Sequence, residues 1–200
     1  MGQYFFPILR EATKNKHYKD YTLCAHKLDN GLKLTEHSYI GNNFMNVVYN
    51  FLIRKPMKVY WWGDYTDPED IKGSNAFFEK MHKVARNDSN NIPYDVDSQI
   101  NKYTKFPFLI NHTKKEYIDI REYNPNTKRW IYHPLSLLTA TSNGKGGGDY
   151  CSYKYPERMA NIGIWKGDLL EVSDTMPPNY TQQYYEFEDE YLKEWNDKNY

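Results

Sequence analysis

Residues 41–68 read GNNFMNVVYNFLIRKPMKVYWWGDYTDP, and this stretch decides the fold class. Phe44, Val47, Val48, Phe51 and Leu52 recur at helical spacing and give residues 41–53 one apolar face. Asn42 or Asn43 caps that helix, because an Asx side chain accepts from the free N–H groups of a first turn. Pro56 stops it. The pattern then changes to β: Lys58 to Trp62 is a β-branched and aromatic run. Gly63-Asp64-Tyr65-Thr66-Asp67-Pro68 ends it in a turn by composition. We therefore expect an α+β single domain, a mostly antiparallel twisted sheet with two to three helices.

Upstream, Gln3 to Leu9 reads as a strand, with Pro7 marking an edge or a bulge. Tyr21 to Ala25 is a second short strand. Asp29-Asn30-Gly31 is a turn, after which Leu32-Lys33-Leu34 resumes a strand. Downstream, Ser74 caps a helix to about Arg86 with Phe77, Phe78, Met81, Val84 and Ala85 as its stripe. A loop is expected at Asn87–Asn91. Three strands of a β-meander follow, Phe106–Ile110, Lys115–Tyr123 and Arg129–Leu138, around turns at Asn111-His112-Thr113 and Asn124-Pro125-Asn126-Thr127. Ile162–Trp165 and Leu169–Val172 read as a hairpin around Lys166-Gly167-Asp168. Pro177-Pro178 ends a body of residues 1–178. Residues 179–200 form a C-terminal amphipathic helix docked on that body or extending from it, with Tyr184, Phe187, Tyr191, Leu192 and Trp195 as its apolar face.

Composition narrows the class. Hydrophobic residues make up only 40% of the 200, but 20 Tyr and 5 Trp compensate, so the core is expected to be aromatic and the surface rich in Tyr. The 26 basic and 26 acidic residues cancel, which disfavours a nucleic-acid partner. Lys14, Lys16, Lys19 and Lys27 are the only modest basic cluster. No apolar run is long enough to span a bilayer and no secretion signal is visible, so no membrane partner is expected. Cys24 and Cys151 fit neither a disulfide framework nor a zinc spacing, and a reduced intracellular setting is the simple reading.

Four of the 11 glycines fall between positions 144 and 148, in Ser142-Asn143-Gly144-Lys145-Gly146-Gly147-Gly148-Asp149-Tyr150. Such clustering needs positive φ angles or a backbone that comes close to something. The turn lacks the hydroxyl that must follow the lysine of a phosphate loop, and no helix starts after it as a dinucleotide fingerprint requires. Two roles stay open. Its free N–H groups can form an anion nest beside Lys145, or Asp149 can cap those same amides. The turns Trp62-Gly63-Asp64 and Trp165-Lys166-Gly167-Asp168 echo one another, and the aromatics Tyr60, Trp61, Trp62, Tyr65, Tyr150 and Trp165 are of the kind that stack on a base or anchor a protein, with core packing the default for half of them. The candidate binding surface is thus Lys145, Gly146, Gly147, Gly148, Asp149 and Tyr150 with Trp62, Asp64, Tyr65, Trp165 and Asp168.

Other constellations are weaker. Asp64, Asp67, Glu69 and Asp70 have oxygen ligands for a hard cation, but their spacing is that of a solvated turn leading into a helix. The six histidines form no paired metal motif; His133 is the best single candidate among them. Glu36-His37-Ser38 carries acid–base residue types on neighbouring positions that point apart. No serine sits in a nucleophile elbow, and neither cysteine has a placed activator. No catalytic residue, metal or cofactor is assigned.

Five segments carry a resemblance: Met1-Gly2-Gln3-Tyr4-Phe5, Gly31 through Asn42, Val59 through Tyr65, His133 through Tyr150, and Ile162 through Asp168. Together they resemble a family of small uncharacterised proteins of bacteriophages and mobile elements. The resemblance touches both halves of the chain and supplies no activity. It implies an accessory role in infection, exercised in the host bacterial cytoplasm. The function expected is non-enzymatic binding of a host component, most simply a host protein, as in an anti-CRISPR-like inhibitor of a bacterial defence system. The alternative is a nucleotide-binding protein that sequesters or hydrolyses a phosphorylated small molecule, with Lys145 and the glycine amides on phosphate and Trp62 or Trp165 on a base.

Overall fold

A computed structural model of the chain describes residues 1–13, 17–86, 102–123 and 129–199. The expected Asn87–Asn91 loop, the Asn124–Thr127 turn, Lys14 and Lys16 lie outside them. The order of elements is β1 (Phe5–Ala12), β2 (Tyr18–Thr22), α1 (Leu34–His37), α2 (Asn43–Arg54), β3 (Met57–Gly63), α3 (Asn75–Arg86), α4 (Lys102–Lys105), β4 (Phe108–Asn111), β5 (Glu116–Asp119), α5 (Pro134–Thr139), β6 (Leu169–Ser173), β7 (Thr181–Gln182) and α6 (Glu190–Asn199). The strands form one sheet in the order β2-β1-β3-β6-β4-β5-β7, antiparallel except for the β5–β7 pair. The fold is α+β. Among the described residues no helix is long and apolar enough to cross a membrane.

Alternation along the strands sorts side chains onto two covered faces. Phe5 and Leu9 of β1 and Met57, Val59 and Trp61 of β3 enter the main core with α2. Ile8 and Trp62 turn to the other face and meet Ile71 and the α3 residues Met81, Val84 and Ala85. Both helices start where the sequence places them. The Asn42 carboxamide accepts from Phe44 N at 2.8 Å, and Ser74 Oγ accepts from Phe77 N at 3.2 Å. Pro7 lies where β1 pairs with β3 and β2 has already ended, since the β1–β2 ladder begins at Ile8. Its missing N–H therefore leaves no ladder bond unmade.

Several expected strands are not strands. Arg129–Leu138 does not complete a meander: Pro134–Thr139 is a helix, with His133 Nδ1 accepting from Leu135 N at 3.1 Å as its cap. All six residues of α5 are buried, so it has no polar face to reveal helical periodicity. The third partner of the β4–β5 hairpin is instead β6, which bridges β4 to β3. Leu32-Lys33-Leu34 leads into α1 because Glu36 reaches back to the Lys33 N–H at 3.0 Å, a capping bond. The second strand lies earlier than Tyr21–Ala25, and Ala25 opens a 3-10 turn. Ile162–Trp165 is irregular, with Gly163 at φ 74° and its N–H on Leu137 O, so no hairpin forms there. The C-terminal helix begins at Glu190, and the extended segment before it delivers Phe187 to the core.

Candidate functional site

The glycine turn meets its own chain. Gly144, Lys145 and Gly146 direct their N–H groups at Asp149 Oδ2, at 2.7, 2.9 and 3.1 Å. The nest is filled by the protein's own carboxylate. Gln3, fully buried, closes it from beneath: with its amide oriented to satisfy both ends, its nitrogen donates to Asp149 Oδ2 at 2.8 Å and its oxygen accepts from Ser142 Oγ. The backbone that comes close is the N-terminus, since Gln3 N donates to Gly147 O and Gly147 N to Met1 O. A Cβ on Gly146 would sit 2.7 Å from Gln3 N. Burial raises the Asp149 carboxyl above its ordinary range, against the pull of the three backbone donors.

Lys145 is engaged as well. Its Nζ lies 2.5 Å from Asp67 and 2.9 Å from Asp70, which holds the glycine turn to the acidic turn after β3. Asp64 Oδ1 accepts from Tyr4 N at 2.9 Å, and Tyr65 offers its carbonyl to Lys145 at 3.5 Å. The first Trp-Gly-Asp turn thus adjoins the glycine turn. The second does not: Gly167 N donates to Val59 O and Val59 N to Asp168 O, toward the start of β3. From Val59 to Gly63 is about 13 Å of strand. Asp168 there accepts from Asn111 Nδ2 at 2.8 Å.

Trp62, Trp165 and Tyr150 are all fully buried. Withdrawing one such ring forfeits about 3 kcal/mol of burial, and stacking a base returns about 1–3 kcal/mol. Base stacking on Trp62 or Trp165 therefore brings no net gain. With Lys145 paired and the nest filled, the three supports of the nucleotide reading are all committed to internal partners.

His133 is likewise internal. It is fully buried against the rings of Tyr49 and Tyr103, and burial pulls its pKa down to about 3. Glu36 and His37 point apart as expected, Glu36 to Lys33 and His37 to Gly31 O and Trp61. Among the described residues no group of three or more His, Cys, Asp or Glu is placed to hold a metal ion.

What the chain does present is an aromatic cleft of about 490 Å³ beside the glycine turn. Tyr39 and Tyr132 line it with rings stacked at 5.0 Å and 19°, and Tyr153 and Tyr191 stand at its mouth, 88% and 80% exposed. Asp149 enters from the glycine turn and Asp189 from the head of α6. Asp189 caps that helix through Leu192 N at 2.7 Å and accepts the Tyr132 hydroxyl at 3.0 Å. Burial raises its carboxyl too. Glu190 accepts from Ser152 Oγ and from Tyr153 and Lys154 N, fastening the 150s loop to α6.

Of the expected site residues, only Asp149 lines this cleft. Sequence reading missed Tyr39, Tyr132, Tyr153, Asp189 and Glu190, which come from four separate segments. Their one advance signal is compositional, an excess of Tyr together with an acidic C-terminal segment.

No protein-family model matches the chain, and neither a curated protein nor a solved structure matches it.

Proposed function

We propose that this is a non-enzymatic accessory protein of a bacteriophage or mobile element, acting in the bacterial cytoplasm by binding a host protein. A component of a bacterial defence system is the class of target that the resemblance favours. One observation carries the binding reading. Of the nine exposed large aromatic or apolar side chains among the described residues, five (Trp130, Tyr153, Tyr155, Tyr184 and Tyr191) lie on α6 or on the segments next to it. Trp130 packs on Trp195 at 5.0 Å and bonds Asn196 through both its N–H and its carbonyl. Tyr153 is tied to Glu190, and Tyr155 lies under Arg158, which pairs with Glu186 at 2.6 Å. Tyr and Trp held on a rigid frame, with a wet tip and an apolar ring, are the residue types that anchor protein interfaces. In this reading the glycine turn and the first Trp-Gly-Asp turn support the N-terminus, the second Trp-Gly-Asp turn supports the start of β3, and the contact face moves to α6. Affinity capture from a bacterial lysate, with mass spectrometry of proteins and released small molecules, tests it. A protein partner is expected; a recovered nucleotide without one would favour the alternative.

A further inference from the structure

We infer that the cleft between Tyr39, Tyr132, Asp149 and Asp189 takes an arginine side chain presented by the protein partner. This rests on the binding function proposed above and names the chemistry of the group recognised.

Two of the chain's own arginines show how it holds a guanidinium. Arg10 is pinched between the rings of Tyr18 and Phe77, each 4.8 Å away, and makes a two-bond contact to Asp20 at 2.6 and 3.1 Å. Arg158 lies 3.9 Å over Tyr155 and pairs with Glu186. Both sites combine an aromatic face with a carboxylate, the arrangement that suits a flat, delocalised and weakly hydrated cation. The cleft offers that combination in larger form, with the rings of Tyr39, Tyr153 and Tyr191 around a buried Tyr132 and the carboxylates of Glu36, Asp149, Asp189 and Glu190. Among the described residues none that lines it is basic. Lys33 reaches Glu36 at 3.4 Å from outside, and Lys154, Arg158 and Lys193 stand on the far side of Asp189 and Glu190, so the cations near these acids lie outside the cleft among the described residues.

Two further observations point the same way. Asp149 and Asp189 are partly desolvated carboxylates bonded by backbone amides, the Gln3 side-chain amide and the Tyr132 hydroxyl, neutral donors that leave their charge. The Tyr150 hydroxyl next to them is fully buried, has no hydrogen-bond partner among the described residues, and feels Asp189 most strongly of the charges around it. A guanidinium carries five donors in a planar fork, more than an ammonium, and matches a site with several acceptors and stacked rings.

The test is a titration of the whole protein, followed by NMR, with the blocked pentapeptide Gly-Gly-Arg-Gly-Gly and with its citrulline counterpart, which keeps the shape and loses the charge. The arginine peptide should shift the signals of Tyr39, Tyr132, Tyr153 and Asp189, and the citrulline peptide should not. The double variant Asp149→Asn with Asp189→Asn removes both charges and keeps an oxygen acceptor for every backbone donor, so the fold is retained. It should weaken arginine binding by about tenfold or more. Equal binding of both peptides, no binding of either, or an unchanged affinity in the double variant overturns the inference. A lysate partner that holds the double variant as tightly as the native protein would overturn it too and leave the binding function standing. Arginine binding with no lysate partner would do the reverse.

Discussion

The indole N–H of Trp61 donates to Nε2 of His37 at 2.9 Å, and on the far side of the ring His37 Nδ1 lies 2.9 Å from Gly31 O. An indole nitrogen only donates, so Nε2 is the acceptor and the proton sits on Nδ1. One fully buried imidazole thereby ties the turn before α1 to the centre of the sheet, in its neutral form.

Acid should therefore unfold this protein through its histidines. Burial pulls His37 down to about 4 and His133 to about 3, both from an ordinary 6.5. Between the folded and unfolded values the unfolded chain binds more protons, so stability rises with pH across that window. The contribution is complete above about pH 6.5 and is lost as pH falls from there through the folded values, on the order of 3 to 5 kcal/mol per histidine. Urea unfolding at about pH 7, 5.5 and 4.5 should show a steady loss. A flat profile would mean that these rings are open to solvent.

The two glycines Gly144 and Gly146 are needed for different reasons. Gly144 has φ 93° and open space around it, so Gly144→Ala carries only the left-handed penalty, about 1–2 kcal/mol. Gly146 has no such φ, but its new Cβ would press on Gln3 N, which is held in place by its bond to Gly147 O. Overpacking against fixed backbone should make Gly146→Ala the more damaging, by about 3 kcal/mol. Equal midpoints in thermal unfolding would contradict the close approach.

Asp149 and Lys145 should also separate. Asp149→Ala leaves the amides of Gly144, Lys145 and Gly146 without their acceptor and should cost about 2–3 kcal/mol. Asp149→Asn keeps an acceptor and should lose less. Lys145 pairs with acids at a partly exposed site, and Lys145→Ala should cost about 1 kcal/mol or less. Chemical denaturation of the three variants checks the order; a costlier Lys145→Ala would make the salt bridge, not the nest, the turn's anchor.

What the chain made legible was local pattern. The stripe Phe44–Leu52 keeps its helical spacing although Phe44 to Tyr49 are all buried, Ser74 caps α3, and Trp61 and Trp62 alternate between two cores, each where expected. Leu135–Thr139 is buried on every side, so its run of apolar and hydroxyl residues reads as strand, and only Pro134 at the first turn hints at a helix. The insertion of β6 between β3 and β4 depends on pairing across more than a hundred residues, which no local pattern encodes. The glycine turn was legible as a close approach, but its partner, Met1–Gln3, lies at the other end of the sequence. The cleft was invisible for the same reason, since Tyr39, Tyr132, Asp149 and Asp189 become neighbours only when the segments pack.

The most direct measurement compares lysate capture by the native protein, by Tyr153→Ala with Tyr191→Ala, and by Lys145→Ala. Both tyrosines are largely exposed, so their removal should leave the thermal midpoint unchanged. A host protein enriched by the native chain should be lost from the tyrosine variant and kept by the lysine variant. Retention by the tyrosine variant, with loss from the lysine variant, would contradict the account and return the contact face to the glycine turn.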